Sequence, residues 1–468
     1  MKNKIISLRI FLWGLLLISL FWFAWMKIIP TGQVSYQADS FGDNFFIGKL
    51  NPEERIASQN IIIGDPVYFS LYTPRRFDKA KIKIQYKNEP QRNLVELGVM
   101  VGDKNWGYRL EPLENKILDN LSSDWDKLTE GDLTLWQRDK KYNNIKTFKE
   151  DLPNREKIAL YNTKINDEYL LEDYQANGSI KNLQTPIRGR YSFYTYIKDE
   201  NLNWDFNFVD LNKNKNSDEV DIDLYYGDQL IQSWHLEDDG NVFDNGQKSE
   251  ERGLKLDLAN LPEGVYKIEV RANDDIVTKN ISTIQSKLAF YGTLHLAKTK
   301  MDNKFTLFTD AQEVAVKTIS PDSLQKIYID NQVLNLEETY KQFSTRINSA
   351  DISEINFAKD SLIIATDGVL AFSRSELINP NFKKVNDNLN FDNIDYILAN
   401  YTANKSLDRG KLATIELNLA DAYREKGRYG FIISIPGLEP HQGEKFEINN
   451  IQINLSGKSL LNKIKEIF

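Results

Sequence analysis

Seventeen consecutive residues near the start of the chain, Ile10 to Met26 (IFLWGLLLISLFWFAWM), carry no charge. An uncharged run of that length constrains the fold more than any other feature. Its backbone polar groups can be satisfied without water only as a helix, which rises about 1.5 Å per residue and so extends roughly 25 Å, near the thickness of a bilayer core. Ile5, Ile6, Ile28 and Ile29 lengthen the stretch, and Trp13, Trp22 and Trp25 suit the interfacial zone. Lys2, Lys4 and Arg9 precede the run and only Lys27 follows it at once. The positive-inside rule then predicts a single-pass anchor over residues 10–29, with a cytoplasmic N-terminus and an extracytoplasmic bulk. Trp25, Met26 and Lys27 fit poorly with the small residues of a signal-peptide cleavage site, so the expectation is an uncleaved anchor in a cell membrane.

The rest of the chain is read as mainly all-β. After the anchor the hydrophobic period changes to two. Val67, Phe69 and Leu71 alternate with Tyr68 and Ser70, and Ile82, Ile84 and Tyr86 alternate with Lys81, Lys83 and Gln85. Residues 31–112 therefore read as a first antiparallel β domain. Residues 113–187 read as short helices, a hairpin at KIALYNTKINDEYLLEDY and a linker. Residues 188–297 contain RYSFYTYI, NLNWDFNFVDL, VDIDLYYG, LIQSWHL, LKLDLANL, GVYKIEVRA and IVTKNISTI, separated by turn chemistry. So many short strands in about one hundred residues predict a β-sandwich. Residues 298–455 are expected to form a further β domain with one helix at LNLEETYKQFS, and residues 456–468 a short amphipathic tail. The predicted architecture is thus an N-terminal transmembrane helix followed by tandem antiparallel β-sandwich domains, with short helices between them.

The step Leu261-Pro262-Glu263-Gly264-Val265-Tyr266 followed by KIEV resembles the entry to the penultimate strand of immunoglobulin-like or fibronectin-III-like modules of bacterial cell-surface proteins. The resemblance covers about residues 188–290 and implies a fold, with no activity attached. The last alternating strand, with Ile448, Ile451, Ile453 and Leu455, is similar in outline to the close of a jelly-roll, galactose-binding-like module.

The chain has no cysteine, which excludes disulfides, thiolate nucleophiles and cysteine-ligated metals. The anchor holds four of the 59 basic residues and none of the 67 acidic ones, leaving the remainder at −12. That balance argues against nucleic acid as a partner. His235, His295 and His441 lie far apart, without metal-site spacing. No serine-hydrolase, Walker or dinucleotide-binding motif occurs in a usable context.

One segment offers cation chemistry. In DLNKNKNSDEVD, oxygen-bearing side chains recur at Asp210, Asn212, Asn214, Asn216, Asp218 and Asp221, the alternation by which a loop wraps Ca2+. Lys215 stands where a calcium loop wants glycine, and Asp221 is shorter than the usual glutamate; an Asn-rich turn is the competing reading. Glu237-Asp238-Asp239-Gly240 and Asp244-Asn245-Gly246 form a second acidic loop that reads as turns or as additional cation ligands. Trp204, Trp234, Tyr225 and Tyr226 lie in strands, as core residues or as an exposed sugar-binding face. The expectation is a non-catalytic, membrane-anchored protein that binds a glycan or an envelope protein. The competing readings are a scaffold subunit of an envelope complex and a polysaccharide-active enzyme with paired carboxylates.

Overall fold

The computed structural model describes the chain apart from residues 1, 29–31, 44, 90, 102–106, 122–123, 214–216, 241–248, 299–303, 348–351, 404, 408–409, 441–442 and 458–468. The predicted amphipathic tail therefore lies outside the described residues. The first element is the helix Lys2–Ile28, which contains the whole uncharged run. Phe11, Trp13, Leu17, Ile18 and Trp22 are exposed along it. Its continuous stretch of described side chains is residues 11–22. Among the described residues no helix is long and apolar enough to cross a membrane.

Everything after the helix is dominated by antiparallel sheets. The first sandwich is made from both ends of the chain. One sheet runs Ile56–Ser58, Ile61–Ile62, Phe446–Ser456, Lys79–Asn88, Gly410–Asn418, Lys405–Leu407, with Val34–Ala38 also on Phe446–Ser456. The other runs Arg424–Glu425, Arg428–Ser434, Leu94–Val101, Gly107–Asn115, with Val67–Tyr72 also on Arg428–Ser434. Period-two alternation builds this core. Ala80, Ile82, Ile84 and Tyr86 are all fully buried, while Lys79, Lys81 and Lys83 face solvent. Each such side chain contributes about 1.5–3 kcal/mol by leaving water. Lys81 pairs across the ladder with Glu416 at 3.1 Å.

The sequence boundaries at 112 and 298 are crossed by this pairing. Lys79–Asn88 takes Gly410–Asn418 on one side and Phe446–Ser456 on the other. Residues 31–112 and 298–455 are therefore not separate sheets, and the last strand closes the first sandwich rather than a jelly roll of its own. Alternation tells which face of a strand is buried; it does not name the neighbour.

Residues 126–161 and 383–400 form a small mixed sheet in the order Lys383–Lys384, Ile158–Tyr161, Tyr396–Asn400, Leu133–Gln137, Asp126–Glu130. Ile158–Tyr161 runs parallel to both its neighbours, so the hairpin expected there is replaced by long-range pairing. The helix Ile145–Glu150, started by the Asn144 side chain accepting from Thr147 N, covers one face with Ile145 and Phe148. Trp136, Ile397 and Ala399 pack with Leu118 and Trp125 on the other.

The strands expected over residues 188–290 build a second sandwich, joined by residues 181–187 of the expected linker. Its first sheet holds Lys181–Leu183 and Ile187–Arg188 beside Ile276–Thr283, then Leu202–Asp210 and Arg252–Leu258. Its second sheet runs Gln229–Leu236, Val220–Tyr226, Gly264–Arg271, Tyr191–Ile197, Ala289–His295. Through Ala289–His295 on Leu362–Ala371 this sheet continues into residues 305–371, so the two regions share one core. The LNLEETYKQFS segment lies here as the strands Gln332–Leu336 and Phe343–Arg346 instead of a helix. Trp204, Phe206, Phe208 and Phe193 fill the centre, with the Phe193 and Trp204 rings 4.8 Å apart. The Tyr266 hydroxyl donates back to the Pro262 carbonyl at 2.8 Å, closing the Leu-Pro-Glu-Gly-Val-Tyr step.

Candidate metal centre

One end of the second sandwich gathers acidic residues from both of its sheets. The strand Leu202–Asp210 ends on Asp210, which pairs in register with Ile276. Asp275, the residue before Ile276, is thereby brought beside Asp210, and Leu211 N donates to the Asp275 carbonyl at 3.0 Å. Asp218 arrives from the opposite sheet, two residues before Val220–Tyr226 begins. Asp210, Asp218 and Asp275 each present a carboxylate oxygen, and these atoms lie within 4.8 Å of one another. The three residues are 0%, 2% and 1% exposed.

Local geometry orients them. Asn212 takes a left-handed φ of 48°, which asparagine tolerates, and its N–H donates to Asp210 Oδ1 at 2.8 Å. Lys213 N donates to Asp275 Oδ2 at 3.3 Å. Asp210 N donates to Ser249 Oγ at 3.0 Å. The Arg252 guanidinium donates to the carbonyls of Asp218 and Glu237, at 2.8 and 2.7 Å. Asp210 Oδ2 and Asp218 Oδ1 are buried without a hydrogen-bond donor among the described residues. Burial, followed by the negative charge of Asp210, raises the Asp218 pKa to about 7. Asp238 and Asp239, exposed on the neighbouring loop, also come within reach of Asp218.

The sequence-predicted ligands divide accordingly. Asp210, Asn212 and Asp218 are buried together at this end. Asn214 and Asn216 lie outside the described residues, as do Asp244, Asn245 and Gly246 of the second acidic loop. Asp221 is placed elsewhere: it lies on the strand Val220–Tyr226 and pairs with His235 Nδ1 at 2.7 Å and Arg271 at 3.9 Å. A strand alternates its side chains, and the step from Asp218 to Asp221 passes from loop into strand, so the spacing of a continuous calcium loop does not carry over. Asp275, rather than Asp221, lies with Asp210 and Asp218. No local motif marks it; only the pairing of Asp210 with Ile276 brings it in.

Two further carboxylates, Glu96 and Glu111, have hydrogen-bond partners. Glu96 accepts from the Tyr161 hydroxyl at 3.3 Å and Glu111 from Asn162 Nδ2 at 2.7 Å, and burial raises both carboxyl pKa values. They join the first sandwich to the mixed sheet. Trp204 belongs to the core and Tyr226 packs on Tyr266, which withdraws two rings from the expected sugar-binding face. His295 is half-buried, and the loss of water around it lowers its pKa to about 4; His441 lies outside the described residues.

No protein-family model matches the chain, and no curated protein matches it. Among solved structures it is similar to dimeric latent PorU from Porphyromonas gingivalis, at 12% identity and a TM-score of 0.13, covering 64% of this chain and 33% of that one. It is also similar to the infectious bursal disease virus VP2 subviral particle, at 7% identity and a TM-score of 0.15, covering 92% of this chain and 82% of that one. The chain thus spans about a third of the PorU chain.

Proposed function

We propose that this is a membrane-tethered β-module protein that works by surface contact outside the cytoplasm, with a glycan or an envelope protein as its partner. The observation that carries the reading is the chemistry where the chain enters its first sandwich. Phe45 and Phe46 are 66% and 41% exposed. Phe45 packs on Tyr72 and Phe46 on Tyr36, each with ring centroids 5.0 Å apart. The Arg428 guanidinium lies 5.7 Å from both the Phe45 and Tyr72 rings. A Cβ on Gly32, four residues beyond the helix, would come 3.1 Å from the Arg75 guanidinium. Aromatic rings mixed with arginines suit the headgroup zone of a membrane, where rings take the half-wet layer and guanidinium groups meet phosphate. The patch belongs to the first sandwich, whose first strand, Val34–Ala38, follows in sequence an apolar helix with basic residues at its start. Both features support a tether that holds the first sandwich against the surface. The Tyr266–Pro262 hydrogen bond supports an immunoglobulin-like identity for the second sandwich.

The test is fractionation of cells making the full chain, with carbonate extraction and protease added to intact spheroplasts. Retention in the carbonate-washed membrane together with cleavage of the β-rich part from outside supports the reading. Recovery in the soluble fraction, or protection of the β-rich part in intact spheroplasts, overturns it. Affinity capture with the full chain in detergent then identifies the partner, and saturable binding to purified glycan or to one envelope protein distinguishes the two classes.

A further inference from the structure

We infer that Asp210, Asp218 and Asp275 form a Ca2+ site that clips the two sheets of the second sandwich together at one end. The reasoning begins with charge. Burying a carboxylate without a partner is costly by several kcal/mol, and proteins normally answer with a cation or a full set of donors. Here three acidic side chains are buried within 4.8 Å of one another. Asp210 Oδ2 and Asp218 Oδ1 have no N–H or hydroxyl donor among the described residues, and the two carboxyls face each other. Arg252 beside them donates from both terminal nitrogens to backbone carbonyls, those of Asp218 and Glu237, and pairs with no carboxylate among the described residues.

Distance and donor type then select the ion. Ca2+ holds oxygen ligands at about 2.3–2.6 Å, so two oxygens on opposite sides of one ion stand roughly 4.6–5.2 Å apart. The three carboxylate oxygens lie within 4.8 Å of one another, close enough to share one such ion. Mg2+ holds its ligands at about 2.0–2.1 Å in strict octahedral geometry and keeps several waters, which suits three converging buried carboxylates less well. Zn2+ favours nitrogen and sulfur, and the group contains neither histidine nor cysteine. Asn212 N and Lys213 N hold the second oxygens of Asp210 and Asp275, so the ligands are fixed before any ion arrives.

The ligand set is discontinuous. Asp210 and Asp275 come from one sheet and Asp218 from the entry to the other. An ion bound there ties the sheets where no ladder hydrogen bond can, because facing sheets stand about 10 Å apart. This differs from the linear loop suggested by spacing, in which Asp221 would be a ligand and Asp275 would not.

The test uses the full chain in detergent, stripped with a chelator and titrated calorimetrically with Ca2+ and, separately, with Mg2+ at pH 8. Parallel titrations use Asp218→Asn, Asp275→Asn and Asp221→Asn, with folding checked by circular dichroism. The expected result is Ca2+ binding at one site that raises the thermal midpoint of the wild-type chain, with a response to Mg2+ at least tenfold weaker. Asp218→Asn and Asp275→Asn lose that binding, whereas Asp221→Asn keeps it. Absence of Ca2+ binding by the wild-type chain at millimolar ion overturns the proposal. So does binding that survives Asp275→Asn and is lost in Asp221→Asn, which returns the site to the linear loop. Should an aspartate variant fail to fold, the wild-type titration and the Asp221→Asn control still decide the matter.

Discussion

Replacing Asp218 by asparagine separates an electrostatic burden from a structural role, because the two predict opposite signs. Asp218 is 2% exposed, and its pKa rises from 3.8 to about 7. The groups facing it are Asp210 at the end of its strand, Asp275 from the turn before Ile276, Asp238 and Asp239 from the next loop, and Arg252 on its own carbonyl. Between pH 3.8 and about 7 the folded chain therefore holds a proton that the unfolded chain has released. Over that window stability falls with rising pH, and above it the loss is complete. Asparagine keeps the shape and cannot ionise. The metal-free Asp218→Asn chain should thus exceed the metal-free wild type by on the order of a few kcal/mol at pH 8 and by clearly less at pH 5. Native-state hydrogen exchange in chelator, read on peptides spanning residues 220–226, localises the measurement to this sandwich. With saturating Ca2+ at pH 8 the order should invert, since only the wild type retains the full ligand set. A variant no more stable than wild type at pH 8 in chelator, or a difference that ignores pH, would refute the reasoning.

Truncation before Phe446 removes the strand that pairs with Val34–Ala38, Ile61–Ile62 and Lys79–Asn88. Limited proteolysis should then cut within residues 34–115 while residues 181–371 stay resistant; equal resistance of both regions would contradict the shared first sandwich. Phe206→Ala empties a fully buried position and should destabilise the second sandwich by about 3–5 kcal/mol, measured by the same exchange experiment, with a loss below about 1 kcal/mol counting against the packing described. Glu114 is fully buried and accepts from Lys411 Nζ at 2.6 Å, Tyr86 at 3.1 Å and Asn88 at 3.2 Å. Glu114→Ala should cost about 3 kcal/mol in denaturant unfolding by stranding Lys411, and the Glu114→Ala/Lys411→Met double variant should recover part of it.

The elements of the second sandwich were legible because each strand carries its own alternation and ends in turn residues. NLNWDFNFVDL became Leu202–Asp210 and GVYKIEVRA became Gly264–Arg271. What the sequence could not express was pairing at a distance. Val34–Ala38 meets residues 451–455, and Ser35 bonds to Asn454 across 419 positions. The parallel alignment of Ile158–Tyr161 with Tyr396–Asn400 is likewise invisible to local pattern, and the two strands were read as a hairpin arm and part of another domain. LNLEETYKQFS carries leucine and phenylalanine at helix-like intervals, yet cross-strand partners at Gln325–Ile329 and Glu313–Thr318 draw it into the sheet. The candidate site divides in the same way. Asp210 and Asp218 stood out by spacing, whereas Asp275 depended on the register between Leu202–Asp210 and Ile276–Thr283.

The closure of the first sandwich by Phe446–Ser456 also sets a schedule for biogenesis. The strand Lys79–Asn88 has finished synthesis long before either of its neighbours exists. At about 5–20 residues per second, the ribosome takes on the order of 20–80 s to travel from residue 34 to residue 446. During that interval the N-terminal strands expose unpaired edges and an apolar face, a hazard for aggregation, while the second sandwich can already fold from contiguous sequence. The nascent chain is thus expected to fold from the middle outward and to depend on a holding factor at its early strands until the last one emerges.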